Sequence, residues 1–248
     1  MTDLFRAYSA RMFRHKFFIG GTILAFIITY YITANGVTMH HFGMYETDFD
    51  YSLTVSLGIP AFFALFTPFF LGTEYSDGTI RNKLAAGKTR AEIYAASFLT
   101  MTAALAVMTA AWLAGALIGA NTLPDISFVA TSTARLLSYN LANLAFLVML
   151  SMSFANQRAS IVIQFCLFQF GSFFALAIQG FMTIAEGTRF KVLRFMLNFF
   201  PFGQWLMSSL IGDGELMMST GTMMGFSVFI LIASTALGLS ILQKKDIK

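Results

Sequence analysis

Three groups of residues in this chain have side chains of the types that do chemistry. Gly87-Lys88-Thr89 matches the end of a phosphate-binding loop, which curls successive backbone N–H groups around phosphate oxygens while its lysine neutralises charge. Such a loop also needs a glycine where Asn82 stands, a buried strand before it, and a hydrophobic run ending in an acidic metal ligand. The sequence shows none of the three, so the expected chain binds no nucleotide itself. His40 and His41, near Glu46, Asp48 and Asp50, are metal-ligand types. Adjacent histidines point apart, however, and no helical histidine pair accompanies them, so no metal is expected. Cys166 is the single cysteine, too few for a disulfide framework or a multi-cysteine metal site, and reads as a small buried apolar residue.

The elements that must position these groups are strongly hydrophobic. Of the 248 residues, 57% are hydrophobic, 11% are charged and 29 are Phe, more apolar surface than a water-soluble domain of this size can hide. The apolar residues fall into six blocks: Phe17 to Thr33, Leu53 to Leu71, Ile93 to Ile118, Leu136 to Phe154, Ile161 to Met182 and Met217 to Leu242. Each is close to the roughly 20 residues that carry a helix through a hydrocarbon core about 30 Å thick. The expected fold is therefore all-α, a single six-span membrane domain over residues 1–248. Basic residues precede the first block as in a secretion signal. Its apolar run is too long for one and no convincing small-residue cleavage site follows, so it reads as a retained span.

No His, Asp or Glu lies in the middle of any block. A membrane-embedded enzyme would need a paired nucleophile and base or a metal cluster there, and an ion-coupled transporter an intramembrane carboxylate. A membrane-embedded enzyme and a non-transport sensor or scaffold remain the alternatives to transport.

Flanking Lys and Arg stay on the cytoplasmic side of a membrane. Arg6, Arg11, Arg14 and Lys16 precede the first block; Arg81, Lys83, Lys88 and Arg90 follow the second; Arg158 follows the fourth; Lys244, Lys245 and Lys248 follow the sixth. Both termini are thus expected on the cytoplasmic side of a bacterial plasma membrane. The net charge of +4 is accounted for by these flanks, which meet anionic headgroups and give no nucleic-acid surface. Within residues 1–16, Leu4, Phe5, Tyr8 and Met12 share one face, the pattern of an interfacial helix. Within residues 183–215, Leu193, Met196, Leu197 and Phe200 oppose Lys191, Arg194 and Asn198, and Pro201 stops the run, which reads as an amphipathic helix at the outer leaflet.

Gly87-Lys88-Thr89 then has a purely structural reading. Ile80, Leu84 and Ala85 mark a short helix whose start Asp77 or Thr79 can cap, and Gly87 can end it in the left-handed conformation. Thr89 and Glu92 have the spacing of a capping box at the start of the third span.

The stretch FLGTEYSDGTIRNKLAAGKTRAEIYAASF, Phe70 to Phe98, resembles the cytoplasmic segment after the second span of type-2 ATP-binding cassette (ABC) exporter permeases. The resemblance rests on Glu74, Gly78-Thr79, Leu84, Gly87 and Thr89-Arg90. Arg81-Asn82-Lys83-Leu84 is most similar to small Gram-positive permeases that export peptides or confer resistance to peptide antibiotics. The family often has Pro near the helix break and Lys in the third span, where this chain has Gly87 and Ala95-Ala96-Ser97.

The resemblance implies that residues 73–92 form a coupling segment docking on a separate ATPase subunit, two copies per complex, which holds the ATP and Mg²⁺. Coupling would involve Glu74, Thr79, Ile80, Arg81, Lys83, Leu84, Lys88 and Arg90, with Arg81, Lys83 and Arg90 touching the partner or headgroups while Ile80 and Leu84 pack. It also implies a second permease, identical or a paralogue, and an amphipathic peptide or lipid-like cargo. The bland alternative is a solvated basic loop that serves topology alone.

Candidates for the transport path or dimer interface are Pro60 and Pro68, which interrupt the second span, and Gln164, Ser172 and Gln179. The last three share a stripe on the fifth span with Gln157, Ser160 and Gly171. Helix-to-helix hydrogen bonding explains that stripe equally well, and is the favoured reading of Asn140, Asn143 and Ser151. Gly115-x-x-x-Gly119 and Gly221-x-x-x-Gly225 permit close helix approach without specifying a partner.

Overall fold

A computed structural model of the protein describes residues 1–35, 48–122, 124–154, 156–209 and 216–245. His40, His41 and Glu46 lie outside the described residues. Regular structure among those described is entirely helical: α1 (Thr2–Phe13), α2 (Lys16–Ala34), α3 (Asp48–Val55), α4 (Gly58–Ser76), α5 (Thr79–Ala85), α6 (Arg90–Gly119), α7 (Ile126–Ser153), α8 (Gln157–Met182), α9 (Gly187–Phe199), α10 (Pro201–Ser209) and α11 (Thr220–Lys244). Six rods are long and apolar enough to cross a membrane: α2, α3 with α4, α6, α7, α8 and α11. The fold is therefore the all-α, six-span architecture of a multi-pass membrane protein.

The rods run past several apolar blocks because a helix continues through polar residues once its hydrogen-bond ladder is established. The second begins at Asp48, not Leu53, and the fourth at Ile126, not Leu136. Asp48 is buried, and its carboxylate accepts from the backbone N–H groups of Asn121 and Thr122 at 3.1 and 3.2 Å. An acidic residue there also suits the positive end of α3. Pro60 does more than bend the second rod. Proline lacks the N–H that would bond the carbonyl four residues back and crowds that carbonyl. The rod breaks at residues 56–57, leaving Pro60 in the first turn of α4 and Pro68 inside it. Trp205 on α10 braces the break, its Nε1 donating to Ser56 Oγ at 3.0 Å.

α11 packs on α7, α2 on α6, and α4 against both α7 and α8. His15 caps α2 through its Nδ1 and sets its ring 5.6 Å from both Phe66 and Phe69, so the corner between α1 and α2 rests on α4. Cys166 is exposed, correcting its expected burial: α8 turns much of its surface outward, as Phe170 and Phe173 also show. α9 departs from the amphipathic expectation as well. Its Asn198 is buried, with Nδ2 donating to Leu216 O at 3.0 Å and Oδ1 accepting from Met218 N at 3.1 Å, while Arg194 donates to Met217 O. Much of the polar side of α9 thus ties down the lead into α11 and is not left to water.

Candidate functional site

Glu74 lies in the last turn of α4 and is 1% exposed. A buried carboxylate must be paired and hydrogen-bonded to be tolerated. Arg11 from α1 forms an ion pair with its Oε1 and Lys83 from α5 one with its Oε2. Thr79 Oγ1 donates to Oε2 at 2.8 Å, as does the Tyr8 hydroxyl at 3.2 Å, and Lys83 donates to the Tyr8 oxygen at 2.8 Å. Arg11 also donates to Phe70 O at 3.2 Å, with its guanidinium 4.1 Å from the Phe70 ring centre. One carboxylate therefore joins α1, α4 and α5.

Burial pulls the Lys83 ammonium below the ordinary lysine value, although the hydrogen bond and charge of Glu74 act the other way. Burial, then the Glu74 charge, pushes the Tyr8 phenol up. Tyr8 thus keeps its proton and serves as a fixed donor.

Local sequence forces the geometry. Gly78 takes a left-handed φ of 65° between α4 and α5 and is the N-cap of α5, with no side-chain cap. This corrects the expected cap by Asp77 or Thr79; the Thr79 hydroxyl goes to Glu74. Gly87, at φ 80°, ends α5 as expected, with Lys88 N bonding Lys83 O and Gly87 N bonding Leu84 O, the paired bonds of a Schellman stop. The Thr89–Glu92 capping box then starts α6. Gly87-Lys88-Thr89 is a helix stop followed by a helix start.

Ile80 is buried and Leu84 packs half-buried on the core. The cations differ from the expected contact set. Lys83 is turned inward, and Arg90 Nη1 donates to the carbonyls of Leu242, Gln243 and Lys245 at 2.8, 2.6 and 2.7 Å, closing the end of α11. Arg81 is exposed and Lys88 half-buried. Arg6, Arg14, Lys16, Arg158 and Lys244 are also exposed. Contacts among α1, the end of α4, α5, the start of α6 and the end of α11 place these cationic segments at one end of the bundle.

Among the path candidates, Gln164 is fully buried, its Nε2 donating to Ser151 Oγ on α7 at 2.9 Å and Ser160 Oγ at 3.0 Å. Gln157 Nε2 donates to Phe69 O on α4 at 2.9 Å, Ser172 bonds back to Phe168 O within α8, and Gln179 is half-buried. Near the start of the stripe, then, helix-to-helix bonding is what this chain displays. Tyr8 and Arg11 were missed as site residues. Their signal was a phenol on an apolar face with a cation one turn on, facing an acid at a span end. No three His, Cys, Asp or Glu residues gather as a metal site among the described residues.

Lys245 provides a pH test of this end. Its Nζ donates to Met152 O at 3.1 Å and lies 3.9 Å from the Tyr75 ring centre. Burial pulls its pKa down to about 8. Because the folded value lies below the unfolded one, the unfolded chain holds more protons between about pH 8 and the ordinary lysine value near 10.4. Stability contributed by this group therefore rises with pH through that window. Melting temperatures of purified protein from pH 7.5 to 9.5 should rise relative to those of Lys245→Met; parallel curves would refute the assignment.

No family model matches the chain, and no curated protein matches it.

Proposed function

We propose that this chain is the membrane subunit of an ATP-driven ABC exporter. A separate ATPase subunit, in two copies, holds ATP and Mg²⁺, and a second permease, identical or a paralogue, completes the path. The cargo is an amphipathic peptide, a peptide antibiotic or a lipid-like molecule, and the cationic end of the bundle faces the cytoplasm of a bacterium.

The observation that carries this reading is the Glu74 joint. α5 is a short rod bounded by two glycine turns, with Arg81 outward and Thr79 and Lys83 held to the end of α4. A solvated loop that served topology alone would have no need to bury a carboxylate under two cations. A push on α5 is delivered to α1 and α4 together, and α4 leads to Pro68 and the break before Pro60. Displacing these rods requires the partner to bind one arrangement better than the other.

The test is co-purification with candidate ATPases expressed alongside the full chain. Arg81→Glu is expected to reduce retention of the ATPase on the order of tenfold, the effect of about 1.4 kcal/mol at a charged contact. Lys191→Glu on exposed α9 surface should leave it unchanged. Undiminished retention by the Arg81 variant would overturn the docking assignment.

A further inference from the structure

Away from the Glu74 joint, α7, α8, α9 and α10 enclose a cavity of about 290 Å³ whose lining contains no ionisable side chain. Its wall runs along α8 from Gln164 to Ile178, on the order of 20 Å at the helical rise. The cavity is thus a slot elongated along α8. A dry engineered cavity of roughly 150 Å³ holds benzene, so this slot takes an aliphatic chain on the order of a dozen carbons. Leu167, Phe174 and Phe200 line it and are 42%, 50% and 45% exposed, so the slot opens onto the apolar outer surface.

Only two side chains in the lining carry polar groups, Gln164 and Asn143. Gln164 is fully buried and its Oε1 has no partner. Turning the amide over exchanges its ends and leaves Nε2 unpartnered instead. Asn143, 5% exposed on α7, makes no side-chain hydrogen bond among the described residues. Buried amides normally find partners. Both border the apolar slot, Gln164 about two turns in from the start of α8 and Asn143 about 12 Å along α7 from Ser151, the residue that Gln164 bonds.

We infer that this slot binds a single-chain, uncharged amphiphile drawn from the bilayer, its one hydroxyl group hydrogen-bonded to Gln164 and its chain lying along α8. A hydroxyl both donates and accepts, so it satisfies either orientation of the Gln164 amide. A carboxylate or an amine would enter an uncharged lining without a counter-charge, at high cost. The site needs no ATPase partner, so it stands or falls apart from the exporter reading.

The experiment uses the full chain in lipid nanodiscs, a dodecanol probe carrying a photoreactive diazirine, and mass spectrometry to map the adducts. Labelling is expected to concentrate on Phe168, Phe174 and Met196. Unlabelled dodecanol should compete on the order of tenfold better than dodecane, the value of about one hydrogen bond. In Gln164→Leu the two competitors should become equivalent while labelling persists. Ala175→Trp, which fills the slot, should abolish the mapped adducts. Circular dichroism and elution volume verify that each variant is folded; Gln164→Leu alone suffices if Ala175→Trp misfolds. Equal competition by dodecane in the unmodified chain, or adducts spread evenly over the exposed faces of α2 and α8, would overturn the site. Arg81→Glu should leave the labelling untouched.

Discussion

Glu74→Gln should destabilise the chain by about 3 kcal/mol and uncouple α5, because it removes the one anion on which two inward-turned cations depend. Breaking a buried ion pair from one side typically costs about 3–5 kcal/mol, most of it the desolvation of the charge left behind. Arg11 is 39% exposed and can recover some water, whereas Lys83 is 22% exposed and cannot recover as much, which sets the expected value at the lower end. The glutamine can still accept from Thr79 and Tyr8, so shape and neutral hydrogen bonding are nearly preserved. What is lost is charge.

The second variant separates charge from packing. Lys83→Met alone leaves Glu74 with Arg11, Tyr8 and Thr79, and should cost about 1–2 kcal/mol. Glu74→Gln with Lys83→Met removes anion and cation together and should be more stable than Glu74→Gln alone, a coupling of about 1–3 kcal/mol in a double-mutant cycle. Thermal melting in one detergent measures all three. Additive losses would mean that Lys83 and Glu74 act separately, and the joint between α4 and α5 would be lost as a mechanical link. If the exporter reading holds, cargo-stimulated ATPase activity should fall in Glu74→Gln even where the ATPase still binds, since docking through Arg81 and transmission through Glu74 are different steps.

Much of this was legible in the sequence for reasons of period and punctuation. Long apolar blocks located the spans, and Gly87 with Thr89 and Glu92 located a helix stop and start, because these signals act over a few neighbouring residues. The second span begins before its apolar block, where Asp48 and Asp50 look like loop residues until Asn121 and Thr122 bring their backbone donors to the Asp48 carboxylate. Glu74 and Lys83 are both legible as candidates, but the direction in which Lys83 turns is set by Glu74 together with Tyr8, on a helix 75 residues earlier. Arg90 shows the same limit: its carbonyl partners lie at the far end of the chain, at Leu242, Gln243 and Lys245. A side chain long enough to reach either way has its choice made by tertiary contacts that no local pattern encodes.

The two glycine pairs make that distinction testable, since by spacing they are the same and in the fold they are opposites. A methyl group on Gly115 would sit 2.6 Å from the Phe26 carbonyl oxygen and one on Gly119 2.7 Å from that of Tyr30, with Thr29 and Thr33 Cβ atoms at 3.2 Å in each case. These obstacles belong largely to α2 backbone, which cannot rotate aside. The register is also informative: moving four residues along α6 moves the contact four residues along α2, so the two rods run parallel, as the first and third spans of an alternating bundle must. Gly115→Ala/Gly119→Ala should therefore force α2 away from α6. Overpacking costs about 1–3 kcal/mol per site, offset by roughly 1 kcal/mol of helix propensity gained at each, so the pair should lose up to about 4 kcal/mol, toward the upper end because the obstacles are backbone. α2 is also held at its start, where Phe17 and Phe18 meet Phe62 and Phe66 of α4, so the loss should fall on the half of the rod that faces Gly115 and Gly119. Gly221 and Gly225 meet nothing within 4 Å, and Gly221→Ala/Gly225→Ala should be neutral or slightly stabilising in the same melting experiment. Equal losses in the two double variants would mean that the spacing itself matters and would remove the close approach of α2 and α6 as its explanation; a loss confined to the first pair, with reduced disulfide trapping between cysteines placed on α2 and α6, would identify that approach as the contact that seats the first span.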